Sequence, residues 1–252
     1  MCKIIAIANH KGGVGKTTTS VNLSACIAAG EYKTLLIDMD SQANATSGVG
    51  LKNFGEKKSI YNVLVDGMDI EDIIIKTDVN NLDVAPSNIN LIGAEVELVN
   101  VIARELRLKE AISKVRDKYD YIIIDSPPSL GILTVNVLVA ADSVIVPIQC
   151  EYYALEGLSH FFKTIQLIRK TLNNSLELEG VVLTMFDPRT NLSLQVMEEV
   201  KKYFKDKVYR TFVPRNVKLS EAPSYGKPII LYDIRSKGAE SYIQLAKEVT
   251  GQ

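Results

Sequence analysis

His10-Lys11-Gly12-Gly13-Val14-Gly15-Lys16-Thr17-Thr18 is the stretch on which the reading of this chain turns. The apolar run Lys3–Ala8 precedes it. Thr17–Ala29 follows with helical spacing and ends at Gly30, a C-cap residue. A strand, a glycine-rich turn and a helix in that order make a phosphate loop. Glycine lets the backbone take φ > 0 and approach an anion with no Cβ in the way. Successive N–H groups then face one concavity, and the helix N-terminus adds its own. Lys16 is placed to reach the β- and γ-phosphates, and the Thr17 hydroxyl to coordinate Mg²⁺. With ordinary residue usage such a pattern arises by chance on the order of 10⁻⁶ times in a chain this long. One feature departs from the general pattern G-x-x-x-x-G-K-[ST]: His10 stands where a glycine is expected, and the loop gains Lys11.

Outward from the loop, short apolar runs alternate with segments of helical period. Strands are expected at Lys3–Ala8, Thr34–Asp38, Leu82–Ala85, Tyr121–Asp125, Ser143–Pro147, Val181–Phe186 and Tyr209–Val213. Most are apolar throughout, as strands covered on both faces must be. Helices are expected at Thr17–Ala29, Leu91–Asp117, Thr134–Ala140, Leu155–Leu172, Leu192–Phe204 and Ala239–Val249, with a surface loop at Ser47–Lys58. The alternation predicts an α/β fold: a doubly wound, mostly parallel sheet flanked by helices on both faces, the P-loop NTPase fold. No linker or repeat divides the chain, so residues 1–252 read as one domain.

Composition narrows the function classes. The chain has 252 residues, 46% apolar and 23% charged, as in an ordinary globular protein. Cys2, Cys26 and Cys150 form no C-x-x-C pair, which argues against a metal site or a disulfide framework and for a reducing cytoplasm. No run of 18 apolar residues is present, so no membrane span is expected. Met1 leads directly into a strand, leaving no room for a signal peptide. Charge is uneven: Arg189–Lys237 carries eleven Lys/Arg against five Asp/Glu, while the whole chain has a net charge of −1. Such asymmetry marks either a surface for a polyanion or a solvated face.

Three acidic residues accompany the loop. Asp38 and Asp40 fall two residues apart at the end of the second strand, and point to the same side if that strand stays extended. Asp125 ends a strongly apolar strand. At the C-terminal edge of a parallel sheet such residues face the ligand crevice. A carboxylate there binds Mg²⁺ directly or through water. A single Asp at a strand end is as often a turn or cap residue.

The early lysine makes Lys11-Gly12-Gly13-Val14-Gly15-Lys16-Thr17-Thr18 resemble the deviant Walker A loop of the MinD/ParA branch of P-loop proteins. Leu35–Gln42, Tyr121–Pro128 and Val213–Pro223 match the same branch, and the similarity runs to about Pro228. Within the branch the chain looks most like the small chromosomal ParA proteins, also called Soj. The resemblance implies an ATP- and Mg²⁺-dependent sandwich dimer in which Lys11 crosses to the partner's phosphates and Gly12 lies at the contact. It assigns Asp40 to activation of the attacking water, Asp38 and Asp125 to the magnesium shell, and Ser126-Pro127-Pro128 to a γ-phosphate-sensing segment. Pro214 and Asn216 match a segment packing around adenine; Met185, after the strand residues 181–184, is expected to add a backbone contact to the base. Phe186–Asn191 resembles a segment whose arginine, here Arg189, takes part in sequence-independent binding of double-stranded DNA; Arg215, Lys218 and Lys227 lie in neighbouring motifs. The implied function is DNA segregation: an ATP-bound dimer on nucleoid DNA, slow basal hydrolysis, and release by a ParB/Spo0J-type centromere-binding partner that supplies a basic, flexible segment.

Three other classes remain open at this stage. A MinD-like, membrane-recruited ATPase needs a basic amphipathic terminal helix, and Glu240–Gln252 is short of cations for that. A relative of the nitrogenase iron protein needs two cluster cysteines per chain. A small-molecule kinase or synthetase needs an acceptor pocket that no motif reveals. His10 is expected to shape the turn, His160 to be structural, and Tyr152-Tyr153 to be packing residues.

Overall fold

The computed structural model describes residues 2–51, 57–151 and 156–252, with backbone alone at 156–159. Seven strands form one sheet: β1 Lys3–Ile7, β2 Thr34–Asp38, β3 Ile75–Lys76, β4 Leu82–Ala85, β5 Tyr121–Asp125, β6 Ser143–Gln149 and β7 Glu177–Thr184. Their order is β3-β4-β2-β5-β1-β6-β7. Every pairing is parallel except that of the short edge strand β3 with β4. The helices are α1 Lys16–Ala29, α2 Asn44–Gly48, α3 Ile60–Leu64, α4 Leu91–Glu97, α5 Arg107–Ser113, α6 Ile132–Ala140, α7 Glu156–Thr171, α8 Asn191–Phe204, α9 Val217–Glu221, α10 Ile229–Tyr232 and α11 Lys237–Thr250.

Strand alternation splits the core in two. Ile4, Leu35, Ile37, Ile122, Ile124 and Val144 point to one face, packed against α3 to α8. Ile5, Ile7, Leu36, Ile123, Ile145 and Val182 point to the other, against α1, α10 and α11. Both faces are dry, which explains why the strands carry almost no polar residues. Because the sheet is parallel, the C-terminal ends of β1, β2, β5 and β7 share one edge.

Two expected elements differ. Tyr209–Val213 forms no strand. It runs beside β7 with isolated bridges Val181–Val208 and Phe186–Pro214. The Glu248 carboxylate of α11 accepts from the Arg210 and Thr211 amides at 2.9 and 2.8 Å, so these amides are diverted from the ladder. Leu91–Asp117 is not one helix either. The chain breaks after the turn Leu98–Asn100, with Ala103 left-handed at φ 56°. Asn136 of α6 holds the break open, donating to Arg104 O and accepting from Leu108 N. Gly30 accepts its cap role through its amide, which bonds Cys26 O and Ile27 O, although the left-handed residue is Glu31. Helix α2 occupies the start of the segment expected as a surface loop; residues 52–56 of that segment, and Tyr152-Tyr153, lie outside the described residues.

Candidate nucleotide site and basic surface

The loop between β1 and α1 folds as an anion cradle. Gly13 and Gly15 are left-handed at φ 74° and 87°, which glycine alone adopts without strain. A Cβ built on Gly12 or Gly13 would meet nothing within 4 Å, so the concavity is open. Helix α1 starts at Lys16 with no side chain capping its first turn, leaving its amides free for a ligand. Two outside contacts fix the loop: Asn9 accepts from Lys11 N and donates to Pro147 O, and the Thr184 hydroxyl at the end of β7 donates to Val14 O.

Lys16 is buried and donates to Lys11 O at 2.9 Å. Burial holds its ammonium below the ordinary lysine value, while the charges of Asp125 and Asp40 work in the opposite direction. Lys11 is half-buried, with Glu151 3.9 Å from its ammonium.

Asp38 and Asp125 are in register at the ends of β2 and β5, both fully buried. Asp38 Oδ2 accepts from the amide and hydroxyl of Thr46, at 2.8 and 2.7 Å, and Oδ1 accepts from Asp40 N. The chain therefore turns at Asp38, and Asp40 leaves the strand to lie half-buried above it with Oδ1 accepting from Gln42 N. Asp125 Oδ1 accepts from the Ser20 hydroxyl at 2.7 Å, and the Thr17 hydroxyl near it also favours its charged form. Burial and mutual repulsion nonetheless raise Asp125, and burial raises Asp38. Among the described residues six buried side-chain atoms have no hydrogen-bond partner; three of them, His10 Nδ1, Asp125 Oδ2 and Ser126 Oγ, adjoin this loop. Buried polar atoms without partners need an explanation. An open cradle of amides, a buried lysine and an orphaned carboxylate fit a phosphate ester with its Mg²⁺. Thr17 and Asp125 would hold the ion, with Asp38 behind them. No group of three or more His, Cys, Asp or Glu among the described residues is arranged as a metal site of its own.

Of the residues expected around the base, Met185 and Pro214 are neighbours across one bridge. Met185 follows Thr184 with φ 51°, and the Phe186–Pro214 bridge sets it beside Pro214. Asn216 caps α9 by accepting from Leu219 N. The same two arms carry Arg189 and Arg215, both exposed. Arg189 grips Asp187 with Nε at 2.9 Å and Nη2 at 2.7 Å, and the charge of Arg215 also reaches Asp187. Lys218 is paired with Glu221 at 3.0 Å and set over the Tyr232 ring. Lys227 faces a cleft lined by Thr17, Thr18, Asn44 and Ser47.

Sequence reasoning missed Thr46, Ser20 and Thr184, which hold Asp38, Asp125 and the loop. Ser20 carried one usable signal, its place one helical turn after Lys16; Thr46 lies eight residues beyond Asp38 with no periodic relation to it. His160 is exposed rather than packed; Phe161 beside it is the buried residue, stacked on His10. Burial and the nearby charges of His160, Lys16 and Lys11 lower His10.

Sheet order, glycine cradle and early lysine together define a P-loop nucleotide-binding protein with a deviant loop. A family model described as an AAA domain matches residues 2–178. The chain is 63% identical over 249 residues to the sporulation initiation inhibitor protein Soj of Bacillus subtilis, covering 99% of this chain and 98% of that one. It is similar to the solved structure of a plasmid partition protein from Borrelia burgdorferi bound to AMPPNP, with TM-score 0.84, 32% identity and 99% and 98% coverage. Cobyrinic acid a,c-diamide synthase from Mycobacterium smegmatis, solved with ADP and magnesium, superposes with TM-score 0.87, 34% identity and 100% and 97% coverage. The chain belongs to the Soj/ParA family of partition ATPases.

Proposed function

We propose that this chain is an ATP-dependent DNA-partitioning ATPase acting as one domain. The observation that carries the reading is a Lys11-bearing loop folded as an open anion cradle, in a chain whose near-full-length relative is a Soj protein. The amides of Gly12 to Thr17 bind the phosphates, and Lys16 turns from Lys11 O to meet their charge. Thr17 and Asp125 would hold a magnesium ion, which would supply charge neutralisation at the phosphate oxygens. Asp40 orients the attacking water and accepts its proton; its half-buried place above the fully buried pair leaves it free to do so. Phosphoryl transfer asks mainly for positioning and charge stabilisation, and basal turnover is slow until a ParB-type partner completes the site. Lys11 acts across an ATP-dependent homodimer. Arg189, Arg215, Lys218 and Lys227 bind duplex phosphates without reading sequence, so the ATP state sits on the nucleoid.

Membrane recruitment is the alternative. Against it, α11 spends its apolar face on the core: Tyr242, Leu245 and Val249 are buried, and the Tyr242 hydroxyl meets Thr19 of α1 at 3.2 Å. No described helix is long and apolar enough to cross a membrane. The deciding experiment is binding to random-sequence duplex DNA with ATP and with ADP across a salt series. Tight, salt-sensitive binding with ATP alone supports partitioning. Liposome binding without duplex binding overturns it.

A further inference from the structure

Arg189 is not a free cation. Its amide, Nε and Nη2 all donate to the Asp187 carboxylate, at 3.0, 2.9 and 2.7 Å. The acid is the inner partner: its side chain is 29% exposed, that of Arg189 86%. Asp187 is itself anchored, because its carbonyl accepts from Thr190 N and its amide lies 3.4 Å from the Ser193 hydroxyl at the start of α8. The arm bearing Arg215 is joined to this one at the Phe186–Pro214 bridge. The hydrogen bonds from Arg189 and the charge of Arg215 hold the Asp187 carboxyl down at about 2, so it stays ionised at any physiological pH.

Fork-to-carboxylate pairing fixes the orientation of a guanidinium but cancels its charge. Duplex affinity depends on the number of phosphates a surface neutralises, and each contributes a slope of about −0.9 in log K against log salt. An exposed ion pair contributes little to folding. The carboxylate therefore matters far more to a polyanion than to stability. We propose that Asp187 is a built-in electrostatic brake on duplex binding: its fork pairing masks the Arg189 guanidinium, the one of the cluster's two arginines that it grips. A brake of this kind keeps the bound state weak enough to be released once hydrolysis separates the dimer. The inference rests on the duplex-binding reading above.

The test compares wild type, Asp187→Asn, Arg189→Ala and the double variant, each with ATP, on random-sequence duplex across a salt series. Asp72→Asn, a one-charge change on a distant exposed turn, sets the general effect of net charge. Asp187→Asn is expected to steepen the slope by about 0.9 per protomer engaged, which is roughly eightfold tighter binding at 0.1 M salt if the curves converge near 1 M. That gain should shrink by half or more in the Arg189→Ala background and be absent in Asp72→Asn. Unchanged or weaker binding by Asp187→Asn, or an equal gain in the Arg189→Ala background, overturns the brake while leaving duplex binding standing. A wild type that binds no duplex with ATP overturns the partition reading and the brake together.

Discussion

Asp38 and Asp125 stand side by side in register at the ends of two adjacent parallel strands, and neither carboxylate reaches solvent. Burial raises both, and for Asp125 the charge of Asp38 adds to it. A carboxyl raised in the folded state contributes stability that is present below its ordinary value of 3.8 and lost as pH rises through the folded one. The nucleotide-free protein is thus weakened by this pair at pH 8 relative to pH 5. Asp125→Asn removes the repulsion and is expected to stabilise the nucleotide-free protein at pH 8 by about 1 kcal/mol, roughly 2–4 °C in Tm. The gain should fade toward pH 5, where the wild-type pair is protonated. Thermal melts across that range check it; a gain independent of pH would refute the electrostatic origin.

Thr46 keeps Asp38 tolerable. Its hydroxyl donates to Asp38 Oδ2 and accepts from Ser87 N at 3.0 Å, all in a fully buried setting. Thr46→Val preserves shape, leaves Ser87 N without its acceptor and takes one of two donors from Asp38 Oδ2. The expected cost is about 1–3 kcal/mol, read as a lower urea midpoint at unchanged m-value. No change in the midpoint would mean that other groups replace both bonds.

Most of the fold was legible because its strands are dry on both faces. β2, β4 and β5 have the expected limits to the residue: β2 and β5 are apolar runs ending in Asp38 and Asp125, and β4 breaks its apolar run only at Asp83. The failures share a cause: side chains far away in sequence. Glu248 diverts the Arg210 and Thr211 amides and Asn136 stabilises the break before α5, and no local pattern announces either. The site divides in the same way. Lys11 to Thr18, Asp38 and Asp125 announce themselves by motif, whereas Thr46 and Thr184 act on them across 8 and 170 residues.

Asp40 differs from the buried pair in being half-buried and bonded through one oxygen only to Gln42 N. Asp40→Ala therefore leaves the cradle intact. ATP affinity is expected within a few-fold of wild type, with turnover lower by about 10²–10⁴. Light scattering should find the variant dimeric with ATP and persistent on duplex DNA. Failure to dimerise with ATP would give Asp40 a structural part in place of a catalytic one.

Met185 is the strained residue of the base region. Its φ of 51° is imposed from both sides, by Thr184 bonding Val14 O and by Phe186 N bonding Val213 O. A non-glycine residue in this conformation costs about 1–2 kcal/mol. Glycine removes that cost but loses about 0.5–1 kcal/mol more in chain entropy on folding. Met185→Gly is thus expected to gain up to about 1 kcal/mol in urea denaturation. If Met185 meets the base through its backbone, the variant keeps ATP affinity within roughly threefold, since that ratio is about 0.6 kcal/mol. Calorimetric titration separates the cases: a loss beyond tenfold would put the methionine side chain, not its backbone, against the nucleotide.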